Sequence, residues 1–416
     1  MSTIYDDRRK KLAECIGGKA AVLLYSGESV HFGADGYYPF EANRMFYYLT
    51  GIRQENSGLL LVIKEGQMQA YLFLEEPRPE VERWVGKKLP FAEAMVLSGI
   101  KEIGDITALP EKLHRLFVEE GFEILYMDAY RCRPSDLPDY NLAKAKQLLQ
   151  RYPYVRLKDV SPILSTLRMV KDEQEIARTR KAVELTGAGL ERVLSVLKPG
   201  MYEYQVQAEF EYAIRYEGAE HTAFETIAGS GANGTMLHYE TNQCVCEPDT
   251  LILLDLGARY QGYNGDITRT YPVSGRFTSR QKEIYDIVLA ANLAVQDAAR
   301  PGTTRKELND VCKKVLAKGM IRLGMIQKEE EIGRYYMHSV SHHLGLDVHD
   351  VTGPEEEVLQ AGMILTDEPG LYIDEEGIGI RIEDDLLITE DGCECLSEDI
   401  LRTTEEIEAF MRENRA

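Results

Sequence analysis

Short apolar runs alternate with amphipathic stretches over the first third of the chain. The uninterrupted runs are strand-sized and predict strands at 20–25, 58–63 and 69–74. Apolar residues at spacings of three and four predict helices at 80–88, 106–120 and 142–152. This alternation indicates a smaller α/β domain over residues 1–160, with a loop at 158–162 as its boundary. Trp84, the only tryptophan, is interpreted as a packing residue of this domain.

A long amphipathic helix follows the boundary. It opens at Lys171-Asp172, runs towards Leu197 and stops at Pro199-Gly200. A second helix is predicted over 204–217, and short strands punctuated by glycine begin near His221. A helix pair at 279–299 and 304–323, further strands to Leu396 and a terminal helix at 403–412 complete the pattern. Helices grouped between strands indicate an α+β domain over residues 161–416.

The strand that ends near Leu256 carries a charge where a lone charge would be costly. Asp255 follows four apolar residues, and a glycine-rich turn then returns the chain towards Asp266. A turn centred between Tyr260 and Gln261 would place the two carboxylates directly opposite each other, with Cβ atoms roughly 5 Å apart. Two like charges at that separation destabilise each other unless a cation lies between them.

A second hairpin near the C-terminus repeats this arrangement. A turn centred at Glu375–Glu376 places Glu368 opposite Glu383. Half of the eight histidines lie between the two hairpins in one short stretch: His338, His342, His343 and His349. A histidine-rich surface loop is the alternative interpretation of that stretch alone. Two carboxylate hairpins beside it favour a metal site of mixed Asp, Glu and His ligands.

The predicted ligand set indicates the metal and the chemistry. Four carboxylates and one imidazole make an oxygen-rich site that suits Mn(II), Co(II) or Zn(II). Two divalent cations balance four negative charges, whereas one would leave two charges uncompensated in a cavity. Two such metals, roughly 3.5 Å apart, can activate a water molecule and bind both reacting oxygens. The site therefore predicts hydrolysis of a carbonyl compound.

These residues resemble the motifs of the metallopeptidases with the pita-bread fold, which include methionine aminopeptidase, prolidase and aminopeptidase P. The first motif, Asp-Leu-Gly-x4-Gly-x2-Gly-Asp-Ile-Thr-Arg-Thr, covers 255–270. The other motifs lie at 341–350, 368–370 and 381–385. The resemblance implies a C-terminal pita-bread (creatinase/aminopeptidase) domain and an N-terminal domain of the creatinase/prolidase type.

The resemblance also implies a role for each ligand. Asp255 would bind one metal, and His342 and Glu368 the other, while Asp266 and Glu383 would bridge them. In this family a hydroxide that bridges the metals attacks the scissile carbonyl, and Glu383 would accept the proton. Four further residues would complete the site: His349 at the substrate carbonyl, His238 and His338 beside the substrate, and Arg381 as a partner of a ligand carboxylate.

Within the family, two motifs favour the aminopeptidase P branch over prolidase. They are Leu-His-Tyr-x2-Asn at 237–242 and Ser-His-x-Leu-Gly-Leu-Asp-Val-His-Asp at 341–350. The implied substrates are peptides with proline at the second position, and Mn(II) is the expected metal. The alternatives are an Xaa-Pro dipeptidase (prolidase), a non-catalytic pita-bread protein that binds peptides or proteins, and a metal-free creatinase-like hydrolase.

Composition restricts the classes of molecule that the protein is expected to bind. The chain has 416 residues and a net charge of −21, so it repels nucleic acid and anionic lipid. No apolar stretch is long enough to span a membrane and the N-terminus lacks a signal core, so a cytosolic protein is expected. Gly229–Gly234 fits G-x-G-x-x-G, but no amphipathic helix follows it, so no dinucleotide cofactor is predicted. The resemblance implies a homodimer or homotetramer.

Overall fold

The computed structural model describes residues 3–129, 139–353 and 357–414. It divides into two compact units, Met1–Leu167 and Arg168–Ala416. The division falls later than the predicted boundary after residue 160, because the polar stretch at 158–162 is not a linker. It ends a strand and starts the helix Ser161–Met169, and the Asp159 carboxylate accepts a hydrogen bond of 2.9 Å from the Ser161 amide.

The first unit is built on a six-stranded mixed sheet in the order β4-β3-β2-β1-β5-β6. Its strands are β1 Ala20–Tyr25, β2 Gly58–Lys64, β3 Gln67–Leu74, β4 Glu102–Asp105, β5 Ile124–Met127 and β6 Arg156–Asp159. Its helices are α1 Ile4–Ile16, α2 Arg44–Thr50, α3 Pro79–Val85, α4 Phe91–Ser98, α5 Leu109–His114 and α6 Tyr140–Arg151, followed by α7 Ser161–Met169. The three predicted strands are confirmed within two residues at their ends.

One expectation for this unit is wrong. Trp84 does not pack in the core, because 89% of its surface is exposed on the short helix α3. The core is formed instead by the inward faces of β1 and β2 and by residues 109–117, which pack against them. A single large apolar residue is therefore a poor guide to burial.

The helices of the second unit lie close to their predicted bounds. They are α8 Glu173–Val196, α9 Glu203–Tyr216, α10 Ser279–Ala298, α11 Arg305–Arg322 and α12 Thr404–Asn414. Asp172 caps α8 and accepts hydrogen bonds from the amides of its first turn, as the Lys171-Asp172 start signal predicts. None of the helices in the described residues combines the length and apolar composition that a membrane-spanning helix needs.

In the described residues of the second unit, the strands form four small antiparallel sheets, in the orders β11-β10-β7, β12-β9-β8, β13-β16-β17 and β14-β15. Their strands are β7 His221–Thr222, β8 Ile227–Ser230, β9 Leu251–Leu256, β10 Ala258–Tyr260, β11 Tyr263–Asn264, β12 Ile267–Pro272, β13 Ile364–Asp367, β14 Gly370–Ile373, β15 Ile378–Arg381, β16 Asp384–Ile388 and β17 Cys393–Cys395. Helices and sheets enclose one large apolar core.

The predicted register of the first hairpin is wrong by two residues. Tyr260 pairs with Tyr263, so the turn consists of Gln261 and Gly262, both with positive φ. This two-residue turn matches the twist of the strands and shifts the pairing. Asp255 therefore faces Thr268, and Asp266 lies two residues before that position. Because the pairing is shifted by an even number of residues, the side chains of Asp255 and Asp266 are still predicted on the same face of the hairpin.

The predicted register of the second hairpin is confirmed. Gly370 pairs with Arg381 and Asp367 with Asp384, on either side of a short gap in the ladder. Glu368 and Glu383 lie in this gap. Their amides bond outside the hairpin, the Glu368 amide to the Val340 carbonyl at 2.9 Å and the Glu383 amide to the Thr268 carbonyl at 3.0 Å.

Candidate active site

The five predicted ligands line one cavity of about 520 Å³ in the second unit. Four come from strand ends or from the gap beside them: Asp255, Asp266, Glu368 and Glu383. His342 lies in an irregular segment that is held against β13, because its amide donates to the Thr366 hydroxyl at 3.0 Å and its carbonyl accepts from the Thr366 amide at 2.9 Å. Residues far apart in sequence therefore converge in space.

Three of the ligands lie close enough to share an ion. Donor atoms of Asp266, His342 and Glu383 all lie within 4.8 Å of one another. The Nε2 atom of His342 is 3.4 Å from Asp266 Oδ2 and 3.7 Å from Glu368 Oε1. The Oδ1 atom of Asp255 is buried and makes no hydrogen bond in the described part of the chain. A buried, unpaired carboxylate oxygen beside this group fits a ligand that awaits a cation.

The carboxylates raise one another's pKa. Burial and the charges of Asp266 and Glu368 raise the pKa of Glu383 well above its usual range. Burial raises the pKa of Glu368 to about 7, against the opposing charge of His342, and that of Asp255 to about 6, against Arg381. Without a cation these three groups keep their protons to a higher pH than usual, because burial and the repulsion between ionised carboxylates in one cavity both disfavour the charged form. The donor set thus fits divalent metal ions.

The imidazole of His342 is oriented for ligation through Nε2. Its Nδ1 lies 3.0 Å from the His343 carbonyl, which can only accept a hydrogen bond, so Nδ1 carries the proton. Nε2 therefore faces the carboxylates and is the atom that would bind a metal ion once it has lost its own proton. Burial opposes a charge on the ring, but the Asp266 hydrogen bond and the Glu368 carboxylate raise the pKa of His342 to about 9.

Arg381 is buried beside the carboxylates. Its guanidinium forms an ion pair with Asp255 and donates to the Tyr372 hydroxyl at 2.8 Å and the Thr268 hydroxyl at 3.1 Å. The Thr268 hydroxyl in turn donates to Glu383 Oε2 at 2.6 Å. Sequence reasoning missed Thr268 and Tyr372. The correct first register would have revealed Thr268, because that register places it opposite Asp255.

The three remaining predicted histidines line the same cavity. His338 donates or accepts a 2.9 Å hydrogen bond with the Tyr372 hydroxyl, and burial lowers its pKa to about 4. The ring of His349 lies 4.2 Å from that of His342, and burial with this neighbour lowers its pKa. His238 is exposed and adds to the lowering of both pKa values. At neutral pH His338 and His349 are therefore uncharged hydrogen-bonding groups.

Comparisons with known proteins agree with this geometry. Residues 177–390 match the sequence model of the family "Metallopeptidase family M24", and residues 5–126 match that of "Aminopeptidase P, N-terminal domain". The chain belongs to metallopeptidase family M24. It is 34% identical to the Xaa-Pro aminopeptidase of Escherichia coli, over 98% of this chain and 97% of that protein.

Solved structures described as aminopeptidase P superpose over almost the entire chain. An aminopeptidase P from Bacillus anthracis gives a TM-score of 0.97 at 42% identity, covering 99% of this chain and 98% of that one. Aminopeptidase P from E. coli with the inhibitor Pro-Leu gives 0.90 at 33% identity, with the same coverage. The pita-bread domain preceded by a smaller N-terminal domain, predicted from the motifs, is confirmed.

A buried ion pair adjoins the backbone of a predicted metal ligand in the second unit. Arg269 and Asp384 are fully buried, and the guanidinium donates to Asp384 Oδ1 at 2.6 Å. Arg269 also donates to the Glu383 carbonyl at 2.6 Å, and so fixes the backbone of a predicted ligand. The Ser397 hydroxyl donates to the same Asp384 oxygen at 2.6 Å. Breaking the pair would leave an uncompensated buried charge.

Asp384→Ala is expected to destabilise the second unit by about 3–5 kcal/mol, because Arg269 loses its buried partner. Chemical denaturation monitored by circular dichroism measures this loss. Glu405→Gln is the control, because Glu405 pairs with Lys282 at the surface and its loss should leave stability almost unchanged. Equal stability of the two variants would contradict the role given to the buried pair.

Proposed function

We propose that the protein is a metal-dependent aminopeptidase that hydrolyses the peptide bond between an N-terminal residue and proline. One observation carries the proposal: five carboxylate and imidazole side chains of the kinds that bind metal ions converge on a cavity that three further histidines also line. The names of its M24 relatives support the same reaction. A cytosolic location and a homodimeric or homotetrameric assembly stay predictions from the sequence.

The ligands divide between two divalent metal ions, for which Mn(II) is the proposed identity and Co(II) or Zn(II) the alternatives. Asp255 would hold one ion and His342 and Glu368 the other, with Asp266 and Glu383 as ligands to both. When bound, such ions polarise the substrate carbonyl and lower the pKa of water to about 7.

The side chains of the cavity then handle the protons and the substrate. Glu383 accepts the proton of the attacking water, while Thr268 holds its Oε2 oxygen. The uncharged His349 donates a hydrogen bond to the carbonyl oxygen as negative charge develops there. His238 and His338 contact the bound peptide. Arg381 holds Asp255 in place, and its charge opposes the rise in the pKa of that carboxyl.

The cavity wall suits proline. The peptide bond before proline has no N–H, so the enzyme must recognise a ring and a tertiary amide. Apolar side chains line part of the cavity beside the polar site: Phe224, Ile227, Leu237 and Val348. An apolar wall next to a carbonyl-binding site accepts a pyrrolidine ring without leaving a polar group unpaired.

An assay with two substrates tests the proposal. Purified protein with Mn(II) is expected to release arginine from Arg-Pro-Pro, measured by chromatography of the products. Cleavage of Gly-Pro alone would favour the dipeptidase. Cleavage of neither peptide with Mn(II), Co(II) or Zn(II) would contradict a peptidase function and support a binding protein.

A further inference from the structure

A buried carboxylate outside the proposed metal site calls for a function. Glu203 is the first residue of α9 and is fully buried. No ion pair of Glu203 with a basic side chain is found in the described residues. A buried charge without a counter-ion is costly unless several hydrogen bonds satisfy it. The N-terminus of a helix, with its free amides and partial positive charge, further favours a carboxylate.

Four donors satisfy Glu203, and all come from one segment, residues 230–244. Oε1 accepts from the Ser230 amide at 2.8 Å and the Asn233 side-chain amide at 2.9 Å. Oε2 accepts from the Tyr239 hydroxyl at 2.9 Å and the Cys244 amide at 2.8 Å. The carboxylate therefore joins the two ends and the middle of the segment.

Regular structure contributes little to the shape of this segment. It contains the 3-10 helix Gly231–Thr235, and no strand or helix covers residues 236–243. Gln207, one turn along α9, adds a second attachment, because its side-chain oxygen accepts a hydrogen bond from the side-chain amide of Asn242 at 2.9 Å. Asn242 is buried with a φ of 50° and also donates to the Thr226 carbonyl at 2.7 Å.

Glycines in the segment and in the strands beside it allow the segment to pack closely against the strand that carries Arg381. A Cβ on Gly379, in β15, would lie 1.8 Å from the Gly234 carbonyl oxygen. A Cβ on Gly229 would lie 2.8 Å from the Asn233 carbonyl oxygen. The pattern Gly229–Gly234, which resembles a nucleotide-binding loop, thus serves close backbone packing beside the site.

We propose that Glu203 is a positioning residue that holds residues 230–244 so that His238 faces the substrate cavity. Leu237, His238 and Glu240 line that cavity, and they lie between the attachments at Asn233 and Cys244. The proposal rests on the proposed peptidase function only for its kinetic consequence. The hydrogen bonds themselves can be tested without any substrate.

Hydrogen–deuterium exchange tests the attachment. In Glu203→Gln, one oxygen becomes an NH2 group that faces donors, and only the Tyr239 hydroxyl or the Asn233 side chain can turn to accept from it, so at least one backbone amide loses its hydrogen bond. We expect at least about tenfold faster exchange at amides 230–244, the change that ~1.4 kcal/mol of lost local stability produces. Glu175→Gln is the matched control, because Glu175 is also a buried carboxylate in the first turn of a helix. Unchanged exchange at 230–244 in Glu203→Gln would overturn the proposal.

A double-mutant cycle tests whether Glu203 affects catalysis through His238. Glu203→Gln is expected to lower kcat/KM for Arg-Pro-Pro about tenfold while Mn(II) affinity is unchanged, because Glu203 contacts no predicted ligand. In a His238→Ala background the same change should have little further effect, since coupled residues are not additive. Full additivity would overturn the action through His238. If the wild-type protein cleaves no Xaa-Pro peptide, the proposed function fails, but the exchange experiment still decides the attachment.

Discussion

Glu383→Gln is expected to lower kcat for Arg-Pro-Pro by at least about a thousandfold. General base catalysis alone contributes roughly 10²–10⁴-fold, and the amide also removes one negative charge from the metal ligands. Glutamine has nearly the same shape, so the Thr268 contact can persist while the proton acceptor is lost. Steady-state kinetics at saturating Mn(II), with metal content measured on the same sample, checks the result.

The same hairpin provides a control for this variant. Glu376 lies in its turn and pairs with Arg280 at the surface, so Glu376→Gln should retain full activity. If Glu383→Gln turned over like the wild type with both metal sites filled, the role of this carboxylate would have to be abandoned.

Metal binding is expected to raise the melting temperature by on the order of 10 °C at pH 8. A ligand at a thousand times its Kd stabilises by about 4 kcal/mol, and each kcal/mol shifts the midpoint of a domain this size by roughly 2–4 °C. The increase should shrink as the pH falls towards 5, because protons compete with metal for the same atoms. Thermal unfolding with Mn(II) or with chelator, at several pH values, measures it.

The direction of the pH effect follows from the raised pKa values. In the metal-free folded protein, the pKa of Asp255 is about 6 and that of Glu368 about 7. In the unfolded chain, both carboxyl groups lose their protons near pH 4. The stability that these two groups contribute is therefore complete below about pH 4 and is lost as the pH rises to about 7. His342 extends the loss towards pH 9, since its pKa is raised to about 9.

Metal ions replace those protons, so the loaded protein should not show this loss. Asp266→Asn is the control, because it removes a predicted bridging ligand and should reduce the metal-induced increase at every pH. An increase that does not depend on pH would contradict the assignment of the raised pKa values to the ligand carboxylates.

The convergence of the proposed ligands on one cavity was predictable from the sequence, because the carboxylates lie in distinctive local patterns. Asp255 interrupts an apolar strand, and Glu368 and Glu383 have matching positions about a clear turn. The strand pairing of the first hairpin could not be predicted from the positions of its glycines alone. Gln261 adopts a positive φ, which is uncommon for a non-glycine residue, and this moves the turn by one residue and the pairing by two.

The supporting residues could not be found in this way. Tyr372 contacts His338 and Arg381 through its hydroxyl, but in the sequence it is one of 24 tyrosines in an ordinary strand. Glu203 resembles any acidic residue at the start of a helix, where an exposed position is the usual expectation. Their partners are distant in sequence, so only the folded chain reveals these contacts.

The two hairpin turns differ in how much change in length they can accommodate. Gln261-Gly262 is a minimal turn between paired residues, so one added residue there must either form a bulge or shift β12 by one residue, which would turn its side chains to the opposite face. The turn Asp374–Gly377 lies beyond the last pair, Ile373 with Ile378, and projects from the end of its ladder. Homologous enzymes should therefore vary in size at the second turn and keep a fixed length at the first.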